Sequence, residues 1–187
     1  VLSGRFLLGA GMLVCLAGAA FGLWEYSRIK AMPVHKVMRD VSSLIYETCK
    51  TYLFQQMKLL GVLEIVIGAC LFYYFYVLRG FAIGRVGVIF LWSLLGIAGS
   101  VAVAWFGILI NNDANCRTAF ASLKGKPDAV MQLPLRSGMS IGVLLICIEL
   151  MMMLYILLFV SPSDAGSCFI GFAIGESLGA SVLRICG

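Results

Sequence analysis

Hydrophobic positions gather in five long runs that are separated by polar stretches. The runs cover residues 6–24, 59–78, 86–110, 137–160 and 168–187. Each is close to the roughly 20 helical residues that cross the hydrocarbon core of a bilayer. The pattern predicts an all-α, polytopic transmembrane bundle of about five spanning helices, near 6–26, 42–78, 86–113, 131–160 and 168–187, in a single transmembrane domain over 1–187.

The polar stretch before the second run has a helical pattern of its own. Within residues 41–58 the apolar side chains recur on one helical face: Leu44, Ile45, Cys49, Tyr52 and Leu53. We interpret this stretch as an extension of the second helix into the cytoplasm. A helix lying on the membrane surface is the less favoured alternative.

Composition agrees with a membrane protein. Hydrophobic residues make up 61% of the 187 residues, charged residues only 12%, and the mean hydropathy is +1.01. A water-facing surface needs many more charged side chains to stay soluble. The net charge of +5 does not indicate a nucleic-acid protein, because the basic residues lie between apolar runs and not in an aromatic-basic cluster.

The basic residues are divided unevenly between the two sides of the membrane. Ten lie in the polar stretches after the first and third runs: Arg28, Lys30, Lys36, Arg39, Lys50, Lys58, Arg117, Lys124, Lys126 and Arg136. The second connection has only Arg79 and Arg85, and the fourth has only Asp164 as a charged residue. Basic loops stay in the cytoplasm. We therefore expect residues 25–58 and 111–136 to be cytoplasmic and the N-terminus to be outside.

Catalytic and metal-binding motifs are absent from the sequence. The seven cysteines are never within four residues of one another, so there is no CxxC motif. We interpret Cys15, Cys70 and Cys147 as packing residues of the apolar runs. The only histidine, His35, is predicted to be a loop residue, because a lone histidine has no partner ligands. We assign no catalytic residue and no metal ligand.

Four ionisable residues lie inside apolar runs: Glu64, Glu149, Glu176 and Arg184. Charges at membrane depth are costly and indicate function by default. The structural alternatives are an arginine that reaches the interface and carboxylates held by neighbouring helices, and the roles of Glu64 and Glu149 stay open. The glycines of the first three runs (Gly9, Gly11, Gly18, Gly22, Gly68, Gly96, Gly99 and Gly107) indicate close helix packing more than a ligand groove.

Three segments carry a resemblance to a known family. Residues 113–125 read DANCRTAFASLKG, residues 135–142 read LRSGMSIG, and residues 168–187 read CFIGFAIGESLGASVLRICG. They resemble the A-N-x-R-T segment, the R-S-G-x-x-x-G helix start and the glycine-rich helix ending in R-V-G-G of membrane-bound, ion-translocating pyrophosphatases. The order and spacing of the helices also agree. Cys186 and Glu176 depart from the family pattern, which has glycine there.

The resemblance implies a pump that couples cytoplasmic pyrophosphate hydrolysis to outward transport of protons or sodium ions. It implies an ion gate in the membrane, to which it assigns Arg184, with Ser177 on the same helical face and Glu176 nearby. Arg117 and Arg136 match motif arginines and are given structural roles. The resemblance also implies Mg²⁺, held by aspartates outside this chain, and a homodimer; whether K⁺ is needed stays open.

Family members are far longer than this chain, which begins at Val1 and ends within an apolar run. We expect an N-terminal fragment that needs the remainder of the pyrophosphatase polypeptide and is inactive alone. The alternatives are a non-catalytic scaffold subunit of a larger complex and a small free-standing transporter or channel.

Overall fold

The structure, a computed structural model, describes residues 4–123, 125 and 127–185, and only the backbone of 129, 184 and 185. It contains α1 (Gly4–Ala31), α2 (Lys36–Phe72), a π-helical turn (Tyr73–Leu78), α3 (Ile83–Ser122), α4 (Pro127–Phe159) and α5 (Pro162–Ile185). The described residues include no strand. Five helical segments are long and apolar enough to cross a membrane. The prediction of an all-α bundle with about five spanning helices is therefore confirmed.

Most helices are longer than their apolar runs. α3 continues through the A-N-x-R-T segment to Ser122, and α4 and α5 begin earlier, at Pro127 and Pro162. Proline is favoured in the first turn of a helix, where its missing N–H has no partner to lose. Hydropathy detects the membrane-spanning part, so these polar ends were missed. The amphipathic stretch 41–58 is part of α2, as predicted.

The two polar stretches expected to be cytoplasmic are mainly helical. Residues 32–35 separate α1 from α2, and α3 ends shortly before α4 begins at Pro127. His35 lies in the first of these short links and is exposed, as predicted. Its Nδ1 accepts a hydrogen bond from the backbone N–H of Val37 (3.4 Å), at the start of α2.

The chain divides into two compact units, and helices α1 to α4 contribute to both. Unit 1 comprises residues 53–102 and the described part of 152–187, together with 4–8; unit 2 comprises 9–52 and 103–151. The assignment of residues 1–187 to one transmembrane domain stays a prediction.

Unit 1 has a core of aromatic and aliphatic side chains. The buried indole of Trp92 on α3 contacts two rings, with centroids 5.9 Å from Tyr155 on α4 and 6.5 Å from Phe172 on α5. Around it lie Leu71, Phe75, Val86, Ile89, Ile156, Ala165 and Cys168. On α2, Gly68 leaves room for the ring of Phe90. This cluster holds α3, α4 and α5 together.

Unit 2 is held by small residues and by hydrogen bonds between helices. A Cβ atom at Gly18 of α1 would overlap Sγ of Cys147 on α4. One turn further along, the hydroxyl of Ser140 donates to the carbonyl of Gly22 at 2.7 Å. α1 and α4 are therefore in close contact, which accounts for two of the glycines predicted to mediate packing and for the packing role of Cys147.

The remaining glycines of the first three runs do not all share this role. Within the described chain, a Cβ atom at Gly9, Gly99 or Gly107 would meet nothing within 4 Å. The prediction of close packing thus holds at Gly18, Gly22, Gly68 and Gly96, whose added Cβ atoms would come within 3.1 Å of a neighbour.

Candidate functional site

The fifth helix packs backbone to backbone on α3 through a row of glycines. At Gly171, an added Cβ atom would lie 2.5 Å from the carbonyl oxygen of Ile89. At Gly175, it would overlap the carbonyl group of Ser93, and at Gly179 it would lie 2.7 Å from Cβ of Ser100. Residues four apart share one helical face. Side chains larger than hydrogen on this face would push α5 away from α3.

α3 completes this contact from its own side. Gly96 faces the backbone of α5, where an added Cβ would overlap the carbonyl of Phe172 and lie 2.7 Å from the amide nitrogen of Glu176. The hydroxyl of Ser100 donates to the carbonyl of Glu176 at 3.0 Å. The position of α5 along α3 is therefore fixed at the level of the predicted gate residues.

The predicted gate residues do not all lie on the same side of α5. Glu176 is half-buried and its backbone contacts α3, whereas Ser177 is exposed. Ser177 and Arg184 are seven residues apart and share a helical face, and Glu176 is turned from Ser177 by about 100°. The backbone of Arg184 belongs to α5, but its side chain lies outside the described part of the structure, as do Cys186 and Gly187.

Ser177 opens onto a groove of about 570 Å³ along α5. The groove is lined by Ile67 on α2 and by Ile170, Ala173, Ile174, Ser177, Leu178 and Ser181 on α5. Among the described lining residues, Ser177 and Ser181 supply the hydroxyl groups. The face of α5 opposite the glycine row thus carries two hydroxyl groups among apolar side chains, and no described helix covers Ser177 or Ser181, which are exposed.

A buried carboxyl–hydroxyl pair, Glu64 and Ser93, also lies in unit 1. Glu64 on α2 is 4% exposed and Ser93 on α3 is fully buried. The Ser93 hydroxyl donates to Oε1 of Glu64 at 2.9 Å, and Oε2 has no hydrogen-bond partner among the described residues. The sequence marks Glu64 as a charge inside an apolar run, but Ser93 was not predicted, because its one signal is a serine in an otherwise apolar run.

In unit 2, Arg117 ties the end of α1 to α3. Arg117 is 4% exposed. Its guanidinium group donates hydrogen bonds to the carbonyl oxygens of Lys30 (2.7 Å) and Met32 (3.2 Å). It also bonds the carboxylate and the carbonyl of Asp113, both at 2.8 Å. The free carbonyls at the C-terminal end of a helix need such donors. This geometry supports the structural role given to Arg117.

Arg136, the second motif arginine, has a different environment. It lines a cavity of about 220 Å³ that it shares with Arg117, Pro33, Phe120 and Gln132. It is half-buried, and the described part of the chain places no carboxylate within ion-pair distance of it. The two motif arginines therefore differ: Arg117 donates four hydrogen bonds to protein groups, whereas Arg136 lines a cavity.

Of the other charges, Glu149 is half-buried in α4, and its role stays open. Near the first turns of α3 and α5, Arg85 and Asp164 form an ion pair at 3.5 Å.

Within residues 4–123, 125 and 127–185, no three His, Cys, Asp or Glu side chains come close enough together to hold a metal ion.

Two comparisons with known proteins give a consistent result. The family model for inorganic H⁺ pyrophosphatase matches residues 16–187. The K⁺-insensitive pyrophosphate-energized proton pump of Chlorobaculum tepidum is 58% identical over 177 residues, which are 95% of this chain and 24% of that protein. The chain thus spans about a quarter of the length of the curated relative. No solved structure matches the chain.

Proposed function

The chain belongs to the inorganic H⁺ pyrophosphatase family, and on this premise we propose that it supplies five membrane-spanning helices to a pyrophosphate-driven proton pump. The whole pump hydrolyses pyrophosphate at its cytoplasmic side and moves protons outward. The observation that carries the proposal is the 58% identity, over 95% of the chain, to a protein named as a pyrophosphate-energized proton pump. The same relative favours protons over sodium ions, and a pump that does not require K⁺.

Within this pump we place the ion path along the open face of α5. Ser177 and Arg184 share that face, and Glu176 lies a quarter-turn away against α3. The guanidinium of Arg184 stays charged at any physiological pH. It would repel a cation at rest and pair with carboxylates of other helices. The glycine row gives this face a fixed support, because α5 cannot slide on α3 without breaking the bond between Ser100 and Glu176.

The remainder of the polypeptide completes the machinery in this proposal. It supplies the aspartates that hold Mg²⁺ and pyrophosphate, and the metal ion would polarise the phosphoryl oxygens and activate water. We also propose that residues 25–58 and 111–136 are cytoplasmic and that the N-terminus is outside, which the excess of basic residues in these two stretches supports. The family resemblance adds a homodimer to the proposal.

The enzymatic part is tested with the purified full-length protein. We expect Mg²⁺-dependent release of phosphate from pyrophosphate, at a rate that is the same in potassium-containing and potassium-free buffer. Absence of hydrolysis in a folded preparation would favour the scaffold alternative. A requirement for K⁺ would contradict the assignment to the K⁺-insensitive kind of pump.

The orientation is tested separately by single-cysteine labelling of intact cells. A membrane-impermeant maleimide should reach a cysteine placed at Ser161, in the link between α4 and α5, from outside. It should not reach one placed at His35. The opposite pattern would invert the topology.

A further inference from the structure

Glu64 is a membrane-level carboxyl group that the gate proposal does not use. It is 96% buried by the described chain alone, since its relative exposure is 4%. Its Oε1 accepts one hydrogen bond, from Ser93, and its Oε2 has no hydrogen-bond partner among the described residues. A buried polar atom without a partner costs free energy. A feature of this kind requires a physical explanation.

The surroundings of Glu64 offer little to stabilise a negative charge. At described positions, unit 1 also contains these ionisable side chains: Arg5 on α1, Lys58 and Cys70 on α2, Tyr73, Tyr74 and Tyr76 in the π-helical turn, Arg79 after it, Arg85 on α3, Tyr155 on α4, and Asp164, Cys168 and Glu176 on α5. The basic residues Arg5, Lys58 and Arg79 are exposed. Arg85 is engaged with Asp164. The described residues place no cation within 4.0 Å of Glu64. A buried charge needs an ionic partner or several hydrogen bonds to offset its lost hydration, and Glu64 has one hydrogen bond.

The pair of Glu64 and Ser93 lies at the level of Glu176 and Ser177, two of the three predicted gate residues. The hydroxyl of Ser93 bonds Glu64, while its carbonyl abuts Gly175 of α5. Gly175 immediately precedes Glu176 and Ser177. Arg184 follows Gly175 by nine residues, or about 14 Å along the helix axis. The carboxyl group of Glu64 is thus connected to α5, which carries the proposed ion path, through one intervening residue, Ser93 of α3.

We propose that Glu64 is a proton-binding site of the pump. The site takes up one proton on Oε2 from the cytoplasmic side and gives up that proton later in the transport cycle, while the Ser93 hydroxyl stays bonded to Oε1. The ligand is a proton and not a metal cation, because the described residues bring only one carboxylate and one hydroxyl to this point. This inference rests on the proposed pump function.

The first test probes protonation of Glu64 without requiring activity. A hydrophobic carbodiimide reacts with protonated carboxyl groups in the membrane, and the adduct is located by mass spectrometry of the full-length protein. We expect an adduct on the peptide that contains Glu64, its loss in Glu64→Gln, and no protection by sodium chloride. An unmodified Glu64, or protection by sodium ions, overturns the proposal.

The second test asks whether the proton is part of transport. In proteoliposomes, Glu64→Gln keeps the size and hydrogen-bonding capacity of the side chain but cannot release a proton. We expect this variant to hydrolyse pyrophosphate with a loss of protons moved per pyrophosphate, and Glu64→Asp to recover part of that ratio. An unchanged ratio in Glu64→Gln overturns the proposal, and Glu64→Asp provides the same test should the Gln variant fail to fold.

Failure of the pump proposal is distinguishable from failure of this one. A parent protein that does not hydrolyse pyrophosphate contradicts the pump function, and the carbodiimide adduct on Glu64 is still measured in that protein. A parent that pumps, with a Glu64→Gln variant of equal coupling, contradicts only the role of Glu64.

Discussion

Replacing Arg117 by alanine is the most severe single change that the described contacts predict for unit 2. The substitution removes four hydrogen bonds of a side chain that is 3% exposed. It leaves the carbonyls of Lys30 and Met32 without their donor at the end of α1. Among the described residues, it also leaves the Asp113 carboxylate with the hydroxyl of Tyr26 alone, at 3.5 Å.

The magnitude follows from what is left behind. Breaking a buried ion pair by removing one partner costs about 3–5 kcal/mol, and each abandoned buried polar group costs about 1–3 kcal/mol. These terms overlap, so we expect a loss of about 3–5 kcal/mol in total. Arg39 is the matched control: it is an exposed arginine near the start of α2, and Arg39→Ala should stay within about 0.5 kcal/mol of the parent.

The assay is equilibrium unfolding of the full-length protein by SDS in mixed micelles, followed by tryptophan fluorescence. The double variant Arg117→Ala with Asp113→Ala should lose less than the sum of the two single losses, because residues in contact are coupled. A loss for Arg117→Ala no larger than that of Arg39→Ala would refute the anchoring role of Arg117.

Three further predictions follow from the same structure. Gly175→Ala should destabilise the protein by about 1–3 kcal/mol through overpacking against Ser93, whereas Gly166→Ala on the same helix, with open space around it, should not; equal unfolding midpoints would contradict the α3–α5 contact. Gly18→Ala should lower thermal stability and an added Cys147→Ala should restore it, since the new methyl group would overlap Sγ; no rescue would count against this packing. Arg184→Ala should abolish pumping or uncouple it from hydrolysis while the protein still inserts and folds, and proton transport at the parent rate in proteoliposomes would remove Arg184 from the gate.

Much of the fold could be predicted from hydropathy, since a helix that meets lipid must be apolar over about 20 residues. The extensions could be predicted only in part. The amphipathic face of residues 41–58 made the extension of α2 predictable. The extension of α3 past Ile110 consists of polar residues, which form hydrogen bonds to other helices, such as Asn112 to Ser42 and Arg117 to Lys30. Contacts with α1 and α2 are not encoded in the local pattern of α3.

The candidate site shows the same division. The charge of Glu64 within an apolar run was visible in the sequence, but its partner was not, because Ser93 is 29 residues away on another helix. The spacing of four residues between Gly171, Gly175 and Gly179 indicates close packing. The sequence does not indicate which helix these glycines contact, which is α3 in the structure. For Arg184 the family resemblance gives a role, and its side-chain contacts stay a prediction.

We propose that this chain is part of a membrane protein that uses pyrophosphate hydrolysis to move protons across a bilayer. The most direct measurement is the internal pH of proteoliposomes that contain the full-length protein, after pyrophosphate and Mg²⁺ are added outside without Na⁺ or K⁺. We expect acidification of the interior that a protonophore abolishes. An internal pH that does not change while pyrophosphate is hydrolysed, or one that changes only when sodium ions are present, would contradict it.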